Sequence, residues 1–205
     1  MVGRGGEDTS GGLRRIAART DNGIYLVEAM VEATMSPNVQ FQVPADDGSL
    51  VSVGVTDQRW SRGFTHAGNQ LPSSARMVEA MDAWARMLAT WMRSKGYSGL
   101  VGFDFVEYRD ARTGGLRALL AEVNPRVNGA TYPLAVRARL NEATARSGRP
   151  QAPAFVSGTV ATGARSFARL KAAIGHLLFD PDRGTGVLPY ATGCLDHGKC
   201  AMEAA

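Results

Sequence analysis

Two acids, an amide and an arginine stand where they could act together. Asp104 lies in an apolar run at residues 100–108, while Glu122 and Asn124 belong to a second run at 116–124, with Arg126 just past its end. Both runs are rich in Val, Leu, Phe and Tyr, and a polar turn at 110–115 separates them, so they read as an antiparallel pair of strands. Side chains alternate across a strand, which puts Asp104 and Val106 on one face of the first strand and Leu120, Glu122 and Asn124 on one face of the second. A carboxylate among apolar residues is costly to bury unless it is paired or holds a cation. Two carboxylate oxygens and an amide oxygen suit magnesium carrying a nucleotide's phosphates. A structural ion pair between Glu122 and Arg126 is the alternative, and it leaves Asn124 unexplained.

The elements around this pair follow from periodicity. Residues 37–43 and 50–56 alternate polar and apolar side chains around a turn at 46–49, the pattern of a hairpin with one buried face. Asn38, Gln40 and Gln42 share a face there, with Arg59 at the hairpin's exit as a candidate phosphate contact or a surface residue. Residues 63–74 read as a loop carrying His66, expected to be solvent-exposed. Met77, Ala80, Met81, Trp84, Leu88, Trp91 and Met92 recur at helical spacing, which predicts an amphipathic helix over 74–93, capped by serine, with its Met and Trp stripe in the core. A helix is expected over 134–145, linker-like sequence at 147–154, a second amphipathic helix over 166–179 and a short strand at 186–190. Residues 24–31 read as an apolar strand with Glu28 set in it.

Composition narrows the class. The chain of 205 residues is 44% hydrophobic and 20% charged, enough to bury a core without pervasive disorder. It has no apolar run of about 18 residues and no basic region followed by an apolar stretch, so no membrane partner or secretory signal is expected and the location is expected to be cytoplasmic. Cys194 and Cys200 are expected as free thiols, and nothing nearby completes a zinc set. The net charge of +4 suits an anionic nucleotide, but no basic cluster interleaved with aromatics argues for nucleic acid.

Asp104 in Gly-Phe-Asp-Phe, the Glu122-Val-Asn124-Pro-Arg126 run and Asn128-Gly129 together resemble the metal-binding end of the ATP-grasp ligases. The resemblance takes in nearly the whole chain as the C-terminal part of such an enzyme, and the segment at 167–199 looks like the short extension of the pheganomycin-type peptide ligases. It implies an α/β (α+β) fold, an antiparallel sheet backed by helices, with a partial ATP-grasp domain at 1–146, a linker at 147–165 and a small C-terminal appendage at 166–205. It implies ATP and magnesium as ligands, with Asp104, Glu122 and Asn124 on the metal and Arg126 catalytic. The nucleotide would meet Glu28, Ala29, Met30, Val31 and Glu32 as the adenine hinge, together with Gln40, Val106, Leu120, Asn128 and Gly129. The glycines of residues 3–12, Gly5 and Gly6 among them, would form the phosphate loop or else belong to an N-terminal tail. The implied reaction joins a small-molecule carboxylate to an amine, an amino acid or peptide, through an acyl phosphate. The family's N-terminal lobe, with its phosphate-binding lysine, is not found in this sequence, so a truncated or split ligase is expected, completed by a separate lobe or by homo-oligomerisation. A non-catalytic ATP- and magnesium-binding remnant or regulatory subunit is the alternative.

Overall fold

The computed structural model describes residues 28, 30–61, 65–146, 148 and 154–204. It comprises two compact units, residues 1–31 and 32–205. In the first, residues 28, 30 and 31 lie outside regular structure, against the strand expected there; Ala29, Gly5 and Gly6 fall outside the described residues.

The second unit is built on an antiparallel sheet. Its strands are β1 (Ala33–Met35), β2 (Pro37–Val43), β3 (Val51–Trp60), β4 (His66–Leu71), β5 (Gly99–Arg109), β6 (Leu116–Asn124), β7 (Phe155–Ala161), β8 (Val187–Ala191) and β9 (Lys199–Ala204). β5 is its hub: β6 pairs along one edge, β2 and β1 along the other, and from β2 the sheet continues through β3, β4, β7, β9 and β8. The helices are α1 (Val78–Ser94), α2 (Thr131–Arg146) and α3 (Phe167–Ile174).

One face of the central strands is apolar and carries α1. Val39, Phe41, Val43, Val101, Phe103 and Phe105 meet Met81, Ala85 and Ala89 in a fully buried cluster. The small alanines let the helix approach the sheet closely. As a result Trp84 and Trp91, expected in the core, are 41% and 59% exposed. The expected serine cap is also replaced. The buried Glu107 carboxylate of β5 accepts from the Arg76 and Met77 amides at 2.7 and 2.9 Å, while Asp57 of β3 takes the Ser74 amide at 2.6 Å. An anionic acceptor at a helix start satisfies amides that have no partner within the helix and complements its dipole.

The other face is polar at its centre, and α2 packs against part of it. Leu134 lies over Gly54, where an added Cβ would fall 2.7 Å from the leucine side chain, and clusters with Leu71 and Phe155. Two further expectations change here. Residues 66–71 form β4, because β3 runs on to Trp60 and supplies it with a ladder from Asp57 to Trp60. Residues 155–161, within the stretch read as linker, form β7, bonded to β4 and β9. Residues 167–204 add α3, β8 and β9 around a small core of Leu170, Leu195 and Cys200. Both cysteines are free thiols. No helix among the described residues is long and apolar enough to cross a membrane.

Candidate functional site

Asp104 of β5 and Glu122 of β6 are direct register partners, and Asn124 stands opposite Gly102, two residues away on the same face. Cross-strand partners project on one side of a sheet, so the two acids and the amide meet on the polar face. The Asn124 amide donates to Asp104 Oδ2 at 2.9 Å, and the Asn38 amide of β2 donates to Oδ1. Burial is the main influence raising the Asp104 carboxyl above the ordinary aspartate range; the Asn38 bond pulls it back, and the neighbouring Glu122 pushes it up through its charge and a hydrogen bond. Among the described residues neither acid forms an ion pair with Lys, Arg or His.

A network of amides holds these groups. Gln40 is fully buried and donates at 2.8 Å to both Asn38 Oδ1 and Asn128 Oδ1, while its own oxygen accepts from Thr131 Oγ1 at 3.0 Å. Gln40 therefore positions Asn38, Asn128 and the start of α2 rather than lining the cleft. Gly102 lies beneath, where a Cβ would come within 2.3 Å of the Asn128 amide nitrogen and 3.1 Å of the Asn38 one. The loop from β6 to α2 is closed by Ala130 N donating to Asn128 Oδ1 at 3.0 Å and Asn128 N to Thr131 Oγ1 at 3.1 Å. Turned in this way, the loop brings Arg126, Asn128 and Gly129 over the acids.

The resulting cleft, about 450 Å³ and open to solvent, is lined by Asp104, Glu122, Asn124, Arg126, Asn128 and Gly129 from the expected set. Arg126 is exposed; its guanidinium donates to the Val127 carbonyl at 3.3 Å and makes no ion pair among the described residues. Val106 and Leu120 are not in the lining. A bulge at Ala121 shifts the register, so Leu120 stands opposite Phe105 on the helix-bearing face and Leu119 takes the place opposite Val106. Period-two counting from Glu122 does not survive an inserted residue. Glu28 and Met30 are exposed and Val31 half-buried, all in the first unit; Glu32, in the second, is exposed.

Sequence reading missed His66, Gln58 and Asn69, which complete the lining with Asn38 and Ala130. His66 stands edge-on to Trp60, with ring centroids 5.8 Å apart, and faces the Asn69 amide at 3.4 Å. The same amide nitrogen donates to Gly129 O at 3.3 Å, and Asn69 N donates to Ser157 Oγ at 3.0 Å. Carrying the alternation of β3 past Thr56 would have found Gln58. Nothing local marks Asn69.

A divalent cation fits the acids on these observations. Two carboxyls face each other across a strand pair with an amide on one of them and no cationic side chain bound to either, so a hard cation would relieve their repulsion. The described residues contain no group of three or more His, Cys, Asp or Glu side chains that could hold a metal, so such a cation would depend on Asn124 and on its ligand's own oxygens.

No family model matches the chain, and no curated protein matches it. Solved structures do. The chain is similar to N5-carboxyaminoimidazole ribonucleotide synthetase from Thermus thermophilus, with a TM-score of 0.53 and 14% identity over 86% of this chain and 47% of that one. It is similar also to N5-carboxyaminoimidazole synthetase from Staphylococcus aureus complexed with ADP, with a TM-score of 0.52 and 9% identity over 87% of this chain and 48% of that one. This chain thus spans about half the length of these structures. A putative ATP-grasp superfamily protein from Archaeoglobus fulgidus matches over 67% of this chain and 42% of that one, at 15% identity and a TM-score of 0.43. The fold of this chain, an antiparallel sheet backed by helices, is shared with these two synthetases.

Proposed function

We propose that this chain is the nucleotide- and magnesium-holding part of an ATP-dependent ligase that joins a carboxylate to an amine, of the peptide-forming, pheganomycin-type kind. One observation carries the reading: Asp104 and Glu122 pair across β5 and β6, with Asn124 bound to Asp104 and no cationic side chain neutralising either acid among the described residues. The fold shared with a synthetase crystallised with ADP supports it.

In this reading Asp104, Glu122 and Asn124 would hold magnesium, which would supply positive charge to offset that of the phosphate oxygens. Arg126, in the same cleft and committed to no acid, stabilises the charge on the phosphate during its transfer. The substrate carboxylate oxygen bonds to the terminal phosphorus of ATP as the bond to ADP breaks. The amine nitrogen then bonds to the acyl carbon as the carbon–oxygen bond to phosphate breaks, and the proton lost from nitrogen leaves with the phosphate. Asn128, held by Gln40 and Thr131, borders the nucleotide together with Gly129. Glu28, Ala29, Met30, Val31 and Glu32 as the adenine hinge, and Gly5 and Gly6 as the phosphate loop, extend the reading by resemblance alone.

ATP brings about four negative charges to a surface already holding two acids, so its binding should require the cation. Calorimetric titration of ATP with and without magnesium tests this on wild type, Glu122→Gln and Arg126→Ala. Wild type and Arg126→Ala should bind in a magnesium-dependent way. Glu122→Gln, which keeps the shape and drops the charge, should lose about tenfold or more of the metal-assisted affinity. Equal, metal-independent affinity in all three overturns the site. ADP release that requires both a carboxylate and an amine separates a ligase from a subunit that only binds nucleotide.

A further inference from the structure

A second cleft adjoins the first and shares His66, Asn69 and Gly129 with it. It holds about 520 Å³ and opens to solvent. It is lined by Tyr132 from the first turn of α2, Tyr190 from β8, and Ser157 and Thr159 from β7. Gly68 and Gly158 also line it and leave bare backbone; a Cβ on Gly68 would fall 1.8 Å from Ser157 O and one on Gly158 3.0 Å from Ala67 O. The buried Ser157 hydroxyl is committed, accepting from Asn69 N at 3.0 Å and donating to Asn69 O at 3.3 Å.

The two clefts differ in charge. The first is lined by Asp104, Glu122 and Arg126, whereas the second has no Asp, Glu, Lys or Arg among the described residues of its lining. We propose that the second cleft receives the body of the amine substrate and selects a ring-bearing amine without a free carboxylate over one that carries it beside the amine; this rests on the ligase reading above. An anionic body would give up hydration with no lysine or arginine in the lining to replace it. A cationic body would be drawn instead to Asp104 and Glu122 next door. Two tyrosines offer a flat ring aromatic contact. The passage to the first cleft is kept clear at Gly129, where a Cβ would stand 3.3 Å from His66 Cε1. A ring in the second cleft can thereby present its amine to the first.

Tyrosinamide and tyrosine, which differ in that carboxylate, are the probes. Each is titrated calorimetrically into the full chain, without nucleotide and then with ATP and magnesium. Tyrosinamide should bind about tenfold or more tighter than tyrosine. Tyr190→Ala should weaken tyrosinamide binding about fivefold or more. Thr159→Lys, at an exposed strand position, supplies the missing cation and should shift the preference toward tyrosine; circular dichroism confirms that both variants fold. Equal affinity for the two probes, tighter binding of tyrosine, or no tyrosinamide binding to folded wild type at millimolar concentration overturns the inference. Tyrosinamide selectivity without any ATP binding would remove the ligase reading and leave the cleft's selectivity standing, whereas ATP binding without tyrosinamide binding would do the reverse.

Discussion

Folding shifts the proton equilibrium of Asp104 in the first cleft. Burial, reinforced by Glu122, raises its carboxyl in the folded chain, so the native state holds that proton to a higher pH than the unfolded chain does. Its contribution to stability is therefore present below the ordinary aspartate value of about 3.9 and is lost as pH rises through the raised folded value. A cation requires the ionised form. Magnesium affinity should accordingly climb with pH through that raised range and level off above it, with protons released on binding. Calorimetry between acid and neutral pH checks this, and an affinity flat across the range would contradict it. The types and spacing of Asp104, Glu122 and Asn124 were legible in the sequence, since two alternating runs and one turn suffice to bring them together. Leu120 was misplaced because a bulge leaves no mark in composition.

α1 shows how an element can be anchored by a distant residue. Glu107, 2% exposed, accepts from the Arg76 and Met77 amides and also from Thr34 Oγ1 at 3.3 Å. Glu107→Ala would leave these part-buried donors without that acceptor, costing about 1–3 kcal/mol, and Glu107→Gln should cost less because one oxygen remains. Urea denaturation measures both. Glu107 lies on the helix-bearing face, so ATP affinity of the folded fraction should stay unchanged. A loss below about 0.5 kcal/mol in the alanine variant would show that the helix start is satisfied otherwise. The serines before this helix looked like its cap, and both are instead held by Asp57, Ser73 through its hydroxyl and Ser74 through its backbone amide. No local pattern reveals a cap supplied from about thirty residues away.

At the scale of the whole second unit, the first cleft draws on β2, β3, β4, β5, β6 and the loop before α2. A ligand held by so many elements binds only the assembled sheet, so it should stabilise the unit as a whole. At about one hundred times the dissociation constant, ATP with magnesium should add about 2.7 kcal/mol. For a chain of this size that is a rise in Tm of about 5–10 °C. Thermal melts with ATP alone, magnesium alone and both together test it, the full shift being expected only with both. A shift of the same size with ATP alone would argue against the paired acids as a cation site.

Sequence by itself determined the strands that carry Asp104, Glu122 and Asn124, the hairpin from residue 37 to residue 56 and the helix after it, because each is written in local periodicity and turn residues. Tertiary structure decided which side chains those elements bring together. β4 is poor in strand-forming residues and exists because β3 and β7 offer ladder partners on both sides; His66 and Asn69 reach the cleft only through that pairing. Gln40 reads as an ordinary strand residue, yet becomes the buried hub of the amide network because Asn128 and Thr131, 88 and 91 residues further on, fold back over it. Trp84 and Trp91 were assigned to the core by period alone, but the helix turned its alanines inward, since close approach to a flat sheet favours small side chains over large ones.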